Sequence, residues 1–532
     1  MNVLTKKQKM KGNMLFGLPI HHISYIMSES RTKNATRNIV FATLNKILSL
    51  LLPFVTRTII LYLLGSTFLG LSSLFSSVLS FLSLAELGLS VAIVHSMYKP
   101  IAEGNTDLIC ALLAYYKKFY HIIGTAILII GTIILPFLPY LIKGDAPNGI
   151  NIYILFYIYL LNSVLSYFLA GYKQSLLSAH QRSDIISKIS IIATLVMQVA
   201  QIVILCITRN YYVYALLPIF STLTINILNA VITDKMYPEY KCRGTLSKEQ
   251  KAKIQKKISG LIGTKLNSVV IHSADSLVVA AFLGLVDTAM YDNYYYLVNA
   301  ISGFIMLFFS SMTAGTGNSI VTETLEKNYK LFKKLSLLNS WGVGWCCVCL
   351  ICLYHPFMVI WVGEDLAYPF SVELCFVLYF YIYNIQRVIL MFKDAAGIWY
   401  EDRFRPYIAM VVNVFLNFTL VQIIGVYGII LSSVFAFCIS VPWANYTLFK
   451  VLFKKPAMMN LIRMLKDGGI IVCASAITYC ICECLGNSIV DFLCKLIICC
   501  IIPNLIFWLF YHKKDEYKDV LSMIKIRVVR KK

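Results

Sequence analysis

Residues 39–64 read IVFATLNKILSLLLPFVTRTIILYLL, an apolar run broken only by the charges of Lys46 and Arg57. A hydrocarbon core about 30 Å thick takes roughly 20 apolar residues per helix, because lipid offers the backbone no other hydrogen-bond partner. This stretch is therefore read as a membrane-spanning helix. Working outward from it, runs of similar length fall at 70–95, 119–142, 150–171, 185–208, 211–233, 258–284, 293–317, 335–362, 370–392, 406–424, 426–449, 468–486 and 489–511. The expected fold is an all-α membrane protein of about 14 transmembrane helices. Composition agrees: 58% of the 532 residues are hydrophobic and 14% charged, against roughly a quarter charged in soluble chains.

The formal net charge of +22 would point to nucleic acid in a soluble protein. Its distribution explains it otherwise. About forty of the 48 Lys and Arg lie in 1–38, in the loops near 96–118, 172–184, 234–257, 318–334, 393–405 and 450–467, and in 512–532. The intervening loops hold little beyond Lys143 and Arg209. Short loops rich in Lys and Arg stay cytoplasmic, so both termini are expected inside, with an even number of spans and no nucleic-acid partner. The basic segment 1–37 does not resemble a signal peptide, and the first apolar run is too long for a signal h-region.

Sixteen Cys include the clusters Cys346-Cys347-Cys349-Cys352 and Cys480-Cys482-Cys484. Both lie in apolar spans without a ligand-type His, Asp or Glu arrangement, so they read as small packing hydrophobes. No metal, cofactor or disulfide is expected.

The basic loop 234–257 divides the chain after the sixth span. The expected organisation is a cytoplasmic tail (1–38), a six-helix lobe (39–233), a basic linker (234–257), a second six-helix lobe (258–449), two added helices (450–511) and a basic tail (512–532). A short internal repeat supports it. Laying Leu64-Gly65 over Leu283-Gly284 aligns Lys46 with Lys265. Downstream, Ala92-Ile93-Val94 and Glu103-Gly104-Asn105 resemble Ser319-Ile320-Val321 and Glu326-Lys327-Asn328 after a small gap. Parallel repeats of this kind suit a transporter, whose two bundles rock about a central site.

Ionisable groups inside spans cost roughly 2.5–3.5 kcal/mol at mid-helix, so each asks for a partner or a task. The candidates are Lys46 and Arg57, Glu86, Lys265, His272 and Asp275, and Arg387. At 100° per residue Lys46 and Arg57 share a helix face, with Pro53 between them, and so do Lys265 and His272. Facing a common cavity, the two cationic stripes would attract an anion. Lys46, Arg57, Lys265 and Arg387 are the candidate substrate-binding groups; Glu86, His272 and Asp275 are candidate coupling or ion-pair groups, with Asp275 the first choice for a coupling ion. The plain alternative lets Lys46, Lys265 and Arg387 snorkel to the cytoplasmic interface, Arg57 pair with Glu86 or reach the outer interface, and Asp275 neutralise a neighbouring cation. Tyr291, Tyr294, Tyr295 and Tyr296 read best as an interfacial aromatic belt, ahead of a sugar-stacking surface.

Arg57-Thr58, Leu64-Gly65, Gly70-Leu71, Ala85-Glu86-Leu87-Gly88, Met97-Tyr98-Lys99-Pro100-Ile101-Ala102 and Ala179-His180-Gln181-Arg182 together resemble the Wzx-type oligosaccharide flippases. That family is the polysaccharide-transporter branch of the superfamily that also holds MATE drug exporters and lipid II flippases. The likeness continues through Asp275-Ser276, Phe282-Leu283-Gly284-Leu285, Gly315-Thr316-Gly317-Asn318-Ser319, Tyr354-His355-Pro356-Phe357, Trp361-Val362-Gly363 and Asn413-Val414-Phe415-Leu416-Asn417, to Gly425-Val426-Tyr427-Gly428-Ile429. It covers about residues 38–450. The resemblance implies two six-helix lobes about a V-shaped cavity in the bacterial cytoplasmic membrane. The implied substrate is an undecaprenyl-diphosphate-linked oligosaccharide, moved from the inner to the outer leaflet. It implies membrane lipid, a glycan polymerase and other polysaccharide-assembly proteins as partners, and by analogy a polyprenyl-accommodating role for the last two spans.

Two rivals are weighed against it. A cation exporter of the same architecture favours acidic groups in its N-terminal lobe, whereas the first span offers Lys46 and Arg57. A membrane-bound polymerase or ligase needs catalytic groups and a sizeable outer loop, and the expected outer loops are about ten residues or shorter. No enzymatic activity is expected.

Overall fold

The first predicted span belongs to a longer helix, α1 (Ile20–Leu64), which stops at Gly65. There φ is 100° and ψ 171°, a region open essentially to glycine alone. The same junction recurs at Gly284, with φ 108° and ψ −179°. These are the two glycines that the internal repeat superposes.

The computed structural model describes the backbone of residues 14–15, 18–86, 88–144, 146–147, 149–486 and 488–520, and side chains from residue 37 except 39, 85, 256–257, 259–261, 264–265, 268 and 272. After α1 come α2 (Ser66–Leu82), α3 (Leu89–Glu103), α4 (Thr106–Ile134), α5 (Ile152–Phe168), α6 (Gln174–Ala179), α7 (Ser183–Thr208), α8 (Tyr211–Met236), α9 (Lys248–Phe282), α10 (Leu285–Thr322), α11 (Leu325–Val362), α12 (Phe370–Ile385), α13 (Arg387–Ala396), α14 (Arg405–Ile424), α15 (Val426–Leu448), α16 (Met458–Glu483) and α17 (Ile489–Tyr511). Among the described residues the fold is all-α but for one pair of two-residue strands, Met14–Leu15 with Leu18–Pro19.

Among the described residues, 11 helices are long and apolar enough to cross a membrane, or 12 if the pair Ile152–Phe168 and Ala170–Ala179, bent by 50°, is one span. The chain is thus a multi-pass membrane protein, and the expected count of 14 is reached only with two shorter apolar helices, Ser66–Leu82 and Val269–Phe282. Each is short for a local reason. The run at 70–95 is cut by a 3₁₀ turn at Ser83–Glu86 and by left-handed Gly88. Just before it, the hydroxyls of Ser80 and Ser83 donate back to the carbonyls of Ser76 and Ser80, competition that bends helices. In α9 the first turns are rich in Lys, so only the latter part is continuously apolar.

The chain forms two compact units. One comprises Met1–Thr56, Gly88–Ile129 and Leu160–Gln255. Its most polar anchor is buried Asp184 at the start of α7, ringed by Arg37 at 2.9 Å, Arg182 at 3.1 Å and Lys188 at 3.5 Å. Asn38 bridges α1 to this turn, donating to Gln181 O and accepting from Asp184 N, both at 2.9 Å. Three cations around one carboxylate fix the Ala179-His180-Gln181-Arg182 turn.

The other unit comprises Arg57–Leu87, Ile130–Tyr159 and Lys256–Lys532. Within it α2 packs on α10, and a Cβ on Gly70 would stand 1.9 Å from the carbonyl oxygen of Leu285. An aromatic core of Phe309, Phe332, Phe392, Phe449 and Phe453 joins α10, α11, α13 and the π-turn after α15. The last two helices dock on α11 by the same means. Gly344 admits Ile471 and Phe507, Trp341 donates to Asn504 Oδ1 at 2.7 Å, and Asp467 accepts from Ser340 Oγ and Tyr511 OH, each at 2.8 Å.

Candidate functional site

Asp275 lies in α9, 2% exposed, inside the second unit. Three neutral donors from three other helices converge on its carboxylate. Tyr291 OH of α10 donates to Oδ2 at 3.0 Å, Asn417 Nδ2 of α14 to Oδ1 at 2.7 Å, and Ser433 Oγ of α15 to Oδ2 at 3.2 Å. A second layer holds the donors. Asn413 Nδ2 donates to Ser433 Oγ at 2.9 Å, and Ser432 Oγ donates to Asn417 Oδ1. No Lys or Arg among the described residues lies within ion-pair distance of Asp275. A buried carboxylate met only by hydroxyls and amides has acceptor capacity left for a proton or a small hard cation.

Arg57, near the end of α1, engages α10. Its Nε and Nη2 donate to Asn293 Oδ1 at 3.2 and 2.9 Å, and its guanidinium lies 5.6 Å from the Tyr296 ring. Neighbouring α1 residues reach α11: Trp361 Nε1 donates to Thr58 Oγ1 at 2.7 Å and Tyr62 OH to Trp361 O at 3.0 Å. With the Gly70–Leu285 approach, these contacts close the α1–α2 end against α10 and α11. Half-buried Arg387 stacks on Tyr383 at 4.1 Å, and its Nη2 has no hydrogen-bond partner among the described residues.

A second buried carboxylate, Glu373 of α12, accepts from Tyr294 OH at 3.0 Å and meets His355 Nδ1 at 3.1 Å. Tyr294 OH in turn accepts from Tyr368 N at 2.9 Å. The interfacial-belt reading of the tyrosines is thereby corrected for Tyr291 and Tyr294. Because α10 starts at Leu285 rather than 293, both lie inside the helix and face carboxylates.

Of the other predicted groups, Lys46 is exposed on α1 and Glu86 sits in the 3₁₀ turn, not in a continuous span. The side chains of Lys265 and His272 lie outside the described residues. Arg57, Asp275 and Arg387 each find partners the sequence reading did not name, among them Asn293, Tyr291, Asn417, Ser433 and Tyr383. One signal was available: Asn413 and Asn417, four apart in an apolar run, share a helix face.

Long apolar helices, a buried carboxylate met by neutral donors and a glycine-tight helix crossing define a multi-pass helical membrane fold. The solved structures it resembles bear this out at the level of fold. The lipid II flippase MurJ in an inward closed conformation has a TM-score of 0.67 at 16% identity, over 89% of this chain and 99% of that one. An inward-facing multidrug-resistance transporter of the MATE family gives 0.61 at 15%, over 78% and 99%. A transporter of the same superfamily from Pyrococcus furiosus, described as having a binding pocket of reverse polarity, gives 0.51 at 13%, over 80% and 97%. By their descriptions these neighbours are a flippase and transporters. The polysaccharide biosynthesis protein family matches residues 35–314, and the chain belongs to it. No curated protein matches it in sequence.

Proposed function

We propose that the chain carries an undecaprenyl-diphosphate-linked oligosaccharide from the inner to the outer leaflet of a bacterial cytoplasmic membrane, with both termini cytoplasmic. The observation that carries this reading is Arg57. It is an intramembrane guanidinium held by a neutral amide and a ring, with no carboxylate in ion-pair distance among the described residues. Its charge stays available to a diphosphate, which guanidinium groups bind in a bidentate fork. Lys46, Lys265 and Arg387 are the further cations of the proposed path. The organisation we propose is lobes 39–233 and 258–449 with 450–511 appended. The matching glycine junctions at Gly65 and Gly284 support the repeat behind it. Asp275 is the proposed coupling site, taking a proton or Na⁺ among Tyr291, Asn417 and Ser433, with Glu86 and His272 as auxiliary charges. Membrane lipid, a glycan polymerase and other assembly proteins are the proposed partners.

The test is restoration of glycan export in a flippase-null host. Arg57→Ala is expected to cut export with normal membrane abundance, and Arg57→Lys to retain part of it. Full export by both Lys46→Ala and Arg57→Ala would sink the cationic path. Improved growth with cationic dyes, without restored glycan export, would instead favour an exporter.

A further inference from the structure

The two cysteine clusters, read from sequence as packing residues, converge on a third. Cys352 of α11, Cys482 of α16 and Cys499 of α17 place their Sγ atoms within 4.8 Å of one another, and they are 4%, 2% and 0% exposed. At a metal–sulfur length of about 2.3 Å, three sulfurs around a planar ion sit about 4 Å apart. Small side-chain rotations reach that spacing. The donor set selects the ion. Among the described residues no imidazole or carboxylate joins the trio, which disfavours hard cations and leaves zinc short of its usual four ligands. An all-sulfur, three-donor, buried site fits soft, monovalent Cu(I).

Charge is the obstacle in a membrane interior. Cu(I) with three thiolates carries a net charge of −2, and its formation from thiols releases three protons to solvent. Lys495 supplies opposing charge: it lies one turn before Cys499 on α17 and is 6% exposed. Cys482 is in the last turn of α16, and exposed Cys480 and Cys484 flank it, so an arriving ion meets thiols through which it can exchange.

We propose that Cys352, Cys482 and Cys499 form a three-thiolate Cu(I) site that staples the last two helices to α11. The full chain in nanodiscs, reduced and anaerobic, is titrated with Cu(I) against bicinchoninate. One ion per chain is expected to resist the competitor, with X-ray absorption showing three sulfurs at about 2.3 Å. Cys352→Ala, Cys482→Ala and Cys499→Ala should each weaken it by more than the 10–100-fold typical of losing a group that only orients a ligand, whereas Cys206→Ser and Cys438→Ser leave it unchanged. A readout on the unaltered chain guards against misfolded variants: copper loading should protect these three cysteines from alkylation in mass-spectrometric mapping. No retained ion, equal retention by the triple variant, unprotected trio cysteines, or a disulfide within the trio would each overturn the proposal.

Discussion

Gly70→Ala isolates one tight helix crossing, α2 on α10, and tests whether the proposed transport needs it. A Cβ at position 70 would lie 1.9 Å from Leu285 O, 2.7 Å from its carbonyl carbon and 3.0 Å from its Cα. All three are backbone atoms of the first turn of α10, so no side-chain rotation relieves the clash. Restoring ordinary contact means moving α2 off α10 by more than about 1 Å, and overpacking of this kind costs about 1–3 kcal/mol. Charged only to the state in which α2 sits on α10, that cost shifts a two-state equilibrium about 5–150-fold toward the state in which they part. Thr288, one turn further along α10 and buried, reports the change. In nanodiscs, with exposed native cysteines replaced, Thr288→Cys should react with maleimide at least about fivefold faster when Gly70→Ala is present. Glycan export should fall. Gly315→Ala, on the same helix with nothing within 4 Å of its Cβ, should change neither. Wild-type labelling and wild-type export in Gly70→Ala would refute both the tight crossing and its part in transport.

Asp402→Ala should be severe. Lys393 and Asp402, each 4% exposed, form a buried ion pair that Arg405 joins at 2.5 Å. Removing the shared anion strands two cations at a cost of about 3–5 kcal/mol, read as lost thermal stability in detergent; unchanged melting would refute the network. Asp467→Ala removes the acceptor shared by Ser340 and Tyr511 and should cost about 1–3 kcal/mol. Hydrogen exchange should rise in α16 and α17 while the α14–α15 hairpin keeps its protection. His180 stacks on Tyr237 at 4.2 Å, and burial pulls its pKa below the ordinary 6.5. Unfolded His180 therefore binds a proton more readily than folded His180. The stability from its neutral ring is complete above about pH 6.5 and is lost as pH falls below that value. His180→Phe should flatten the acid side of the melting curve, and an unaltered pH profile would count against this reading.

The spans were legible because lipid imposes length and apolarity on each helix separately, without reference to its neighbours. The turn at Ser83–Gly88 was partly legible too, since clustered serines and a glycine mark where backbone hydrogen bonds are contested. Partners were not, because they depend on how each helix is rotated about its axis. Asp275 meets Tyr291 across the Gly284 turn but meets Asn417 and Ser433 from helices more than a hundred residues away, and no local pattern couples those positions. The cysteines show the same limit: three runs that each look like apolar filler supply one thiol apiece to a common point. Yet lipid also makes such meetings predictable in kind. A polar side chain in a span must turn toward protein, and once inside it can be satisfied only by another span's polar group. Asn413, Asn417, Ser432 and Ser433 were therefore a second half-site waiting for an acceptor, and Asp275 was the acceptor without a neighbour. Reading intramembrane amides and hydroxyls as complements of intramembrane charges, rather than ranking the charges alone, would have joined them from sequence.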